Sequence, residues 1–111
     1  MSVEALFEQV AQQLAAAGGV EQGRIMHAYG LRTNGRFFAF ARRGELVVKL
    51  PAERVAALLA DGTGAPFRSG GTRVLREWVA LAPRDAKTCA GYVAEAQTFV
   101  EGLPTREVQR T

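Results

Sequence analysis

The dipeptide Asn34-Gly35 constrains the fold of this chain more than any other local feature. A two-residue type I′ turn needs positive φ at both central positions, and Asn-Gly meets that need well. The dipeptide separates residues 24–33 from residues 36–42, two runs with strand composition, and so predicts an antiparallel hairpin. A second turn at Arg43-Gly44 leads into a third apolar run at 45–50. We therefore expect a three-stranded meander over residues 24–50.

Helical patterns surround this meander. Apolar side chains recur at helical spacing over residues 3–17, with Ser2 as the expected N-cap and Gly18-Gly19 as the stop. Pro51, which suits the first turn of a helix, opens a short helix that ends at Asp61-Gly62.

The residues after Gly62 complete the order of elements. A short strand is expected around Phe67, a longer strand at 73–81, and a last helix from Pro83, with Cys89 on its apolar stripe. The predicted order is α-β-β-β-α-β-β-α. This is one α+β domain over residues 1–103, followed by a polar tail at 104–111, with helices on one face of an antiparallel sheet.

Composition limits the cellular setting. Cys89 is the one cysteine of the 111 residues, which excludes an internal disulfide framework and suits a reducing compartment. No basic and apolar leader precedes the first helix, and no run approaches 18 apolar residues. We predict a cytoplasmic protein that does not enter a membrane. Its net charge of +3 is too mild to decide for or against nucleic-acid binding.

The residues that could support catalysis are few. A Ser-His-Asp site would have to join Ser69, His27 and either Asp61 or Asp85, and no local pattern supports that convergence. Cys89 is better explained as a small core residue than as a nucleophile paired with His27. One Cys and one His cannot supply the usual four ligands of a structural zinc site. We expect no catalytic residue, no cofactor and no metal.

Pairing the strands through the two turns assigns each side chain to a face. Directly opposed residues share a face. The turns would place Thr33 opposite Arg36, Leu31 opposite Phe38, Tyr29 opposite Phe40, and Phe40 opposite Val47. One face then carries an apolar group bordered by basic side chains: Tyr29, Leu31, Phe38, Phe40, Val47, Arg36, Arg42 and Lys49. The other face is nearly uncharged, and we expect the helices there. The alternative is a register slip of one residue, which would exchange the faces.

Several segments carry a family resemblance. They are IMHAYGL at 25–31, GRFFAF at 35–40, LVVKLPAERVAALLADG at 46–62, PF at 66–67, and REWV at 76–79 before Pro83. Residues 20–101 resemble the TfoX N-terminal domain (TfoX/Sxy) family, especially its short stand-alone members. The chain departs from the family's Met-Phe-Gly-type entry, with Met26-His27-Ala28 in its place, and does not include the C-terminal domain of the longer competence regulators.

The resemblance implies a two-layer fold like that of secretion chaperones, no catalytic residues, and a regulatory role in transcription or competence. We predict a non-enzymatic binding module that acts through protein contacts, most simply as a homodimer across the apolar group, because monomers seldom expose a large apolar patch. The alternative is nucleic-acid binding, with the rings of that group stacking on bases and its basic side chains contacting phosphates. A third possibility is an enzyme whose pocket the sequence does not reveal.

Overall fold

Within the residues that the structure describes, the fold is an open six-stranded antiparallel sheet with three helices on one face. The computed structural model describes residues 2–25, 27–69 and 73–104. The elements are α1 (Val3–Ala17), β1 (Glu21–Ile25), β2 (Ala28–Thr33), β3 (Arg36–Arg42), β4 (Glu45–Lys49), α2 (Ala52–Ala60), β5 (Ala65–Ser69), β6 (Arg73–Leu81) and α3 (Ala86–Glu101). The strand order is β1-β2-β3-β4-β6-β5. The predicted α+β class and the placement of the helices are confirmed.

The helices begin and end where local chemistry favours it. The Ser2 hydroxyl accepts a hydrogen bond from the Ala5 N–H at 3.1 Å, and Gly18, with φ of 89°, ends α1. The Asp85 carboxylate accepts the Thr88 N–H at 2.7 Å and caps α3. That cap starts α3 at Ala86, so the predicted start at Pro83 is wrong.

The predicted three-stranded meander has four strands. The run expected as one strand at 24–33 reverses between Ile25 and Ala28, which pair with each other across a turn. His27 lies in that turn with φ of 63°, a value that histidine adopts more readily than most side chains. Because no glycine or proline marks this turn, the sequence pattern did not separate β1 from β2.

A β-bulge in β3 overturns half of the predicted register. Thr33 pairs with Arg36 as expected at the hairpin tip, but Leu31 pairs with Ala39 instead of Phe38. Phe38 is thus an extra residue in β3, and the residues beyond it change partners. The pairing of Phe40 with Val47 in β4 agrees with the prediction.

The main core lies between the helices and one face of the sheet, called here the helix face. Its buried side chains are Leu6, Phe7, Val10, Ala11, Val20, Leu31, Phe38, Ala39, Ala41, Leu46, Val48, Leu50, Val55, Leu58, Val79, Leu81, Cys89, Val93, Ala96 and Val100. Cys89 is fully buried on α3, as predicted, and this burial raises the pKa of its thiol.

The predicted tail lies outside the described residues apart from Pro104, whose carbonyl accepts a hydrogen bond from Arg36.

Candidate binding surfaces

The eight residues predicted to form one binding surface lie on two faces of the sheet. Leu31 and Phe38 belong to the helix-face core. Tyr29 lines a cleft beside α1, and Arg36 reaches the end of α3 at Pro104. The remaining four, Phe40, Val47, Arg42 and Lys49, lie on the opposite face. The sequence prediction placed Tyr29, Leu31, Phe38 and Arg36 on the wrong face because the bulge at Phe38 changes the register.

The opposite face, called here the aromatic face, covers its own apolar side chains. Its buried residues are Ala28, Phe40, Val47, Phe67 and Ala80, with Ile25, Leu75 and Trp78 packed against them. The Phe67 ring meets Phe40 edge-on with centroids 5.6 Å apart, and the Trp78 ring lies 5.8 Å from Phe40. Phe40 consequently keeps 1% of its surface exposed and Val47 none. Side chains from β5 and β6 therefore give the cover that a partner was expected to provide.

Cations form the outer layer of the aromatic face. The Arg42 guanidinium lies 5.5 Å from the centre of the Phe67 ring, and the Lys49 ammonium lies 5.6 Å from that of Trp78. Lys49 also pairs with Glu77 at 3.5 Å. Positive charge above a ring face is favourable because the π-system is electron-rich there. The predicted basic border thus contacts the aromatic rings of the same molecule.

One further aromatic ring on this face is accommodated by glycine. Gly23 of β1 pairs with Gly30 of β2, and a Cβ at either position would lie 3.1 Å from an atom of the Phe37 ring. Phe37 therefore lies across the glycine pair, with the Arg32 guanidinium 5.9 Å from its centre. Gly23 and Gly30 were the signal in the sequence for this position of the Phe37 ring.

The alternative of nucleic-acid binding required exposed aromatic rings on one surface. Phe38 and Phe40 are buried, and Tyr29 is separated from Phe40 by the sheet itself. Base stacking requires an accessible ring face. The three rings named for that role do not form one exposed surface.

Apolar surface that the sequence prediction missed lies at the end of the sheet. An apolar groove of about 150 Å³ runs between α2 and β6; we call it the α2–β6 groove, and its lining is Ala52, Val55, Ala56, Leu59, Pro66, Val74, Leu75, Arg76 and Trp78. Val74 is 42% exposed, and Leu75 and Trp78 are half-buried. Two adjacent apolar residues between Arg73 and Arg76, where a strand would alternate, were the signal in the sequence.

The structure gives several of the residues considered for catalysis a role in the fold. Cys89 has a raised pKa because it is buried, the reverse of what activates a thiol nucleophile. Asp61 accepts the Thr63 N–H at 2.8 Å after α2, and Asp85 caps α3. His27 is exposed at the β1–β2 turn. Within residues 2–25, 27–69 and 73–104, no three His, Cys, Asp or Glu side chains are grouped so that they could hold a metal ion.

Neither the described helices nor comparison with known proteins connects the chain with a membrane or a family. In the part of the chain that the structure describes, no helix has the length and apolar character needed to cross a membrane. Comparison of the chain with known protein families and with curated proteins finds no match.

Proposed function

We propose that this domain is a non-enzymatic binding module that acts through protein contacts, with a second copy of itself as the simplest partner. The observation that carries the proposal is the α2–β6 groove, where exposed Val74 adjoins half-buried Leu75 and Trp78. Contiguous exposed apolar surface with a polar border is characteristic of interaction sites. Two-fold association covers the same patch on both copies, and is the commonest symmetry of soluble oligomers.

The chemistry of the groove suits a protein anchor. Its volume of about 150 Å³ compares with that of apolar cavities that accommodate a benzene ring. Trp78 offers the kind of aromatic surface that is enriched in interfaces. Arg76 and Glu77 place both signs of charge beside the groove, so that two copies related by a two-fold axis could exchange ion pairs at the rim.

The resemblance to the TfoX N-terminal domain family supplies the biological part of the proposal. On that basis the binding module is a cytoplasmic regulator in transcription or competence, and its partners include a further protein. The α+β architecture agrees with the fold that the resemblance implied.

The proposal predicts that Val74→Asp abolishes self-association and leaves the fold intact. An unpaired carboxylate at the centre of an apolar interface is costly, whereas in the free domain the exposed position lets it remain hydrated. Light scattering behind a sizing column should give twice the 12.0 kDa of the chain for the wild type and 12.0 kDa for Val74→Asp.

The matched control is Ala57→Asp, which places the same charge at an exposed position of α2 outside the groove. It should remain associated, and all three proteins should give cooperative melting curves. A wild-type mass of 12.0 kDa at every concentration would rule out self-association. A dimeric Val74→Asp variant would show that the groove is not the site of association.

A further inference from the structure

A cleft between α1 and the neighbouring strands has a lining that the proposed protein interface does not use. Its volume is about 370 Å³, within the range of small-molecule sites. Phe7, Ala11 and Ala41, all buried, form its apolar floor. Polar and aromatic side chains form the rim: Glu4, Glu8, Gln12, Gln22 and Tyr29. We call it the α1 cleft.

The α1 cleft is negative in a protein whose net charge is positive. Glu4 and Glu8 are the charged side chains of residues 1–19, and both line the cleft, one helical turn apart. Like charges at that spacing destabilise a helix. Glu4 accepts the Gly44 N–H at 2.8 Å, and this hydrogen bond holds the pKa of Glu4 below its usual range. The described residues that line the cleft include no cationic side chain, although the Arg24 guanidinium lies just outside the lining, over the ring of Tyr29.

Tyr29 adds a second attraction for positive charge. Of the described large apolar side chains it is the most exposed, at 64%. The Arg24 guanidinium already lies 5.2 Å from the centre of its ring, which shows that the ring attracts a cation in this structure. Arg24 itself does not line the cleft.

We propose that the α1 cleft binds an organic cation that carries an alkylammonium group. The ammonium lies between the Glu8 carboxylate and the ring of Tyr29, and its alkyl chain packs on Phe7, Ala11 and Ala41. Carboxylate, aromatic ring and apolar floor are the three features that such a ligand needs together. The inference does not depend on self-association through the α2–β6 groove.

The test is a titration of the ¹⁵N-labelled chain with n-butylammonium, and with n-butanol as the uncharged analogue of the same shape. At low salt we expect the ammonium to shift the amide signals of Phe7, Ala11 and Tyr29. The alcohol should bind about tenfold more weakly, because it gains neither the ion pair nor the cation–π contact. Added salt should weaken the binding of butylammonium and leave the binding of butanol unchanged.

Three variants assign the binding to the proposed groups. Glu8→Gln and Tyr29→Leu should each lower the affinity for butylammonium roughly threefold. Arg24→Gln should raise that affinity, because the guanidinium that competes for the Tyr29 ring is removed. Glu53→Gln removes an exposed carboxylate from α2 and serves as the control, with the wild-type dissociation constant. All of these substitutions are at exposed positions, and a melting curve checks each fold.

The same titration identifies the source of the cation. Tighter binding of the free amine than of a blocked Gly-Lys-Gly peptide indicates a small-molecule ligand, and the reverse order indicates a lysine side chain of a protein. The proposal is overturned if neither shifts the cleft signals, if butanol binds as well as butylammonium, or if Glu8→Gln and Arg24→Gln both leave the ammonium affinity unchanged.

Discussion

The close packing of α2 against β6 depends on a single residue without a side chain. A Cβ at Gly64 would lie 2.5 Å from Cγ2 of Val79 and 3.4 Å from Cβ of Leu58. The Gly64 N–H also donates to the Leu58 carbonyl at 3.0 Å, directly after the helix. The requirement for glycine here comes from the space available, since its φ lies outside the left-handed region.

Two glycine-to-alanine substitutions should therefore have opposite effects. Gly64→Ala should lower the free energy of unfolding by about 1–3 kcal/mol, because the added methyl overpacks the contact with Val79. Gly91→Ala, inside α3 with nothing within 4 Å of the new Cβ, should raise it by about 1 kcal/mol through helix propensity. Urea unfolding measures both. A Gly64→Ala variant as stable as the wild type would contradict the close approach.

At the scale of the elements, β3 and the β5–β6 hairpin together explain the aromatic face. The bulge in β3 lets Phe38 and Ala39 both reach the helix-face core, while Phe37 and Phe40 lie on the other side. The hairpin then brings Phe67 and Trp78 over Phe40. The sheet face on which none of the described helices packs is thus closed by large side chains, with Arg42 and Lys49 over the rings of Phe67 and Trp78.

This cover changes the expected effect of substitution at Phe40. Phe40→Ala should lower the free energy of unfolding by about 3–5 kcal/mol, as for other buried aromatic residues. Phe40→Glu should fail to fold, because its carboxylate would be buried without a partner. Tyr29→Ala, which the sequence placed on the same surface, should change stability by no more than about 0.5 kcal/mol because Tyr29 is exposed. Equal effects of the two alanine variants in urea unfolding would contradict the assignment of faces.

Across the described part of the molecule, three carboxylates accept hydrogen bonds from backbone N–H groups, and one of these bonds joins distant segments. Glu4 connects α1 to the β3–β4 turn at Gly44, Asp61 follows α2, and Asp85 caps α3. Hydrogen bonds lower the pKa of all three: the bond from Gly44 for Glu4, those from Thr63 for Asp61, and those from Thr88 for Asp85. Their ionised forms are therefore favoured by folding.

This arrangement predicts acid sensitivity. A carboxyl whose pKa is lower in the folded state stabilises the protein at pH values above its pKa in the unfolded chain, which is about 4 for Asp and Glu. This contribution is lost as the pH falls through the pKa of the folded state. We expect the free energy of unfolding, measured with urea from pH 7 to pH 2, to decrease below about pH 5. Asp85→Asn keeps a capping oxygen but does not titrate, so its curve should be shallower. An unchanged curve for that variant would exclude Asp85 as a contributor.

The elements themselves could be predicted from the sequence because their signals are local. Ser2 and Gly18 limit α1, Asn34-Gly35 forms the hairpin turn with φ of 54° and 77°, and Cys89 lies on the buried stripe of α3. Caps, turns and apolar periodicity act over a few neighbouring residues, so the local sequence is sufficient to determine them.

The surfaces were decided by the tertiary structure alone. The turn after Ile25 and the bulge at Phe38 arise from the fit between strands, including the Gly23–Gly30 pair that accommodates the Phe37 ring. Phe67 covers Phe40 from a strand that is remote in sequence. Register and burial depend on contacts between side chains far apart in the chain, and a shift of one residue exchanges the faces of a strand. For that physical reason the predicted elements formed, while Tyr29 and Phe40, expected side by side, lie on opposite faces of the sheet.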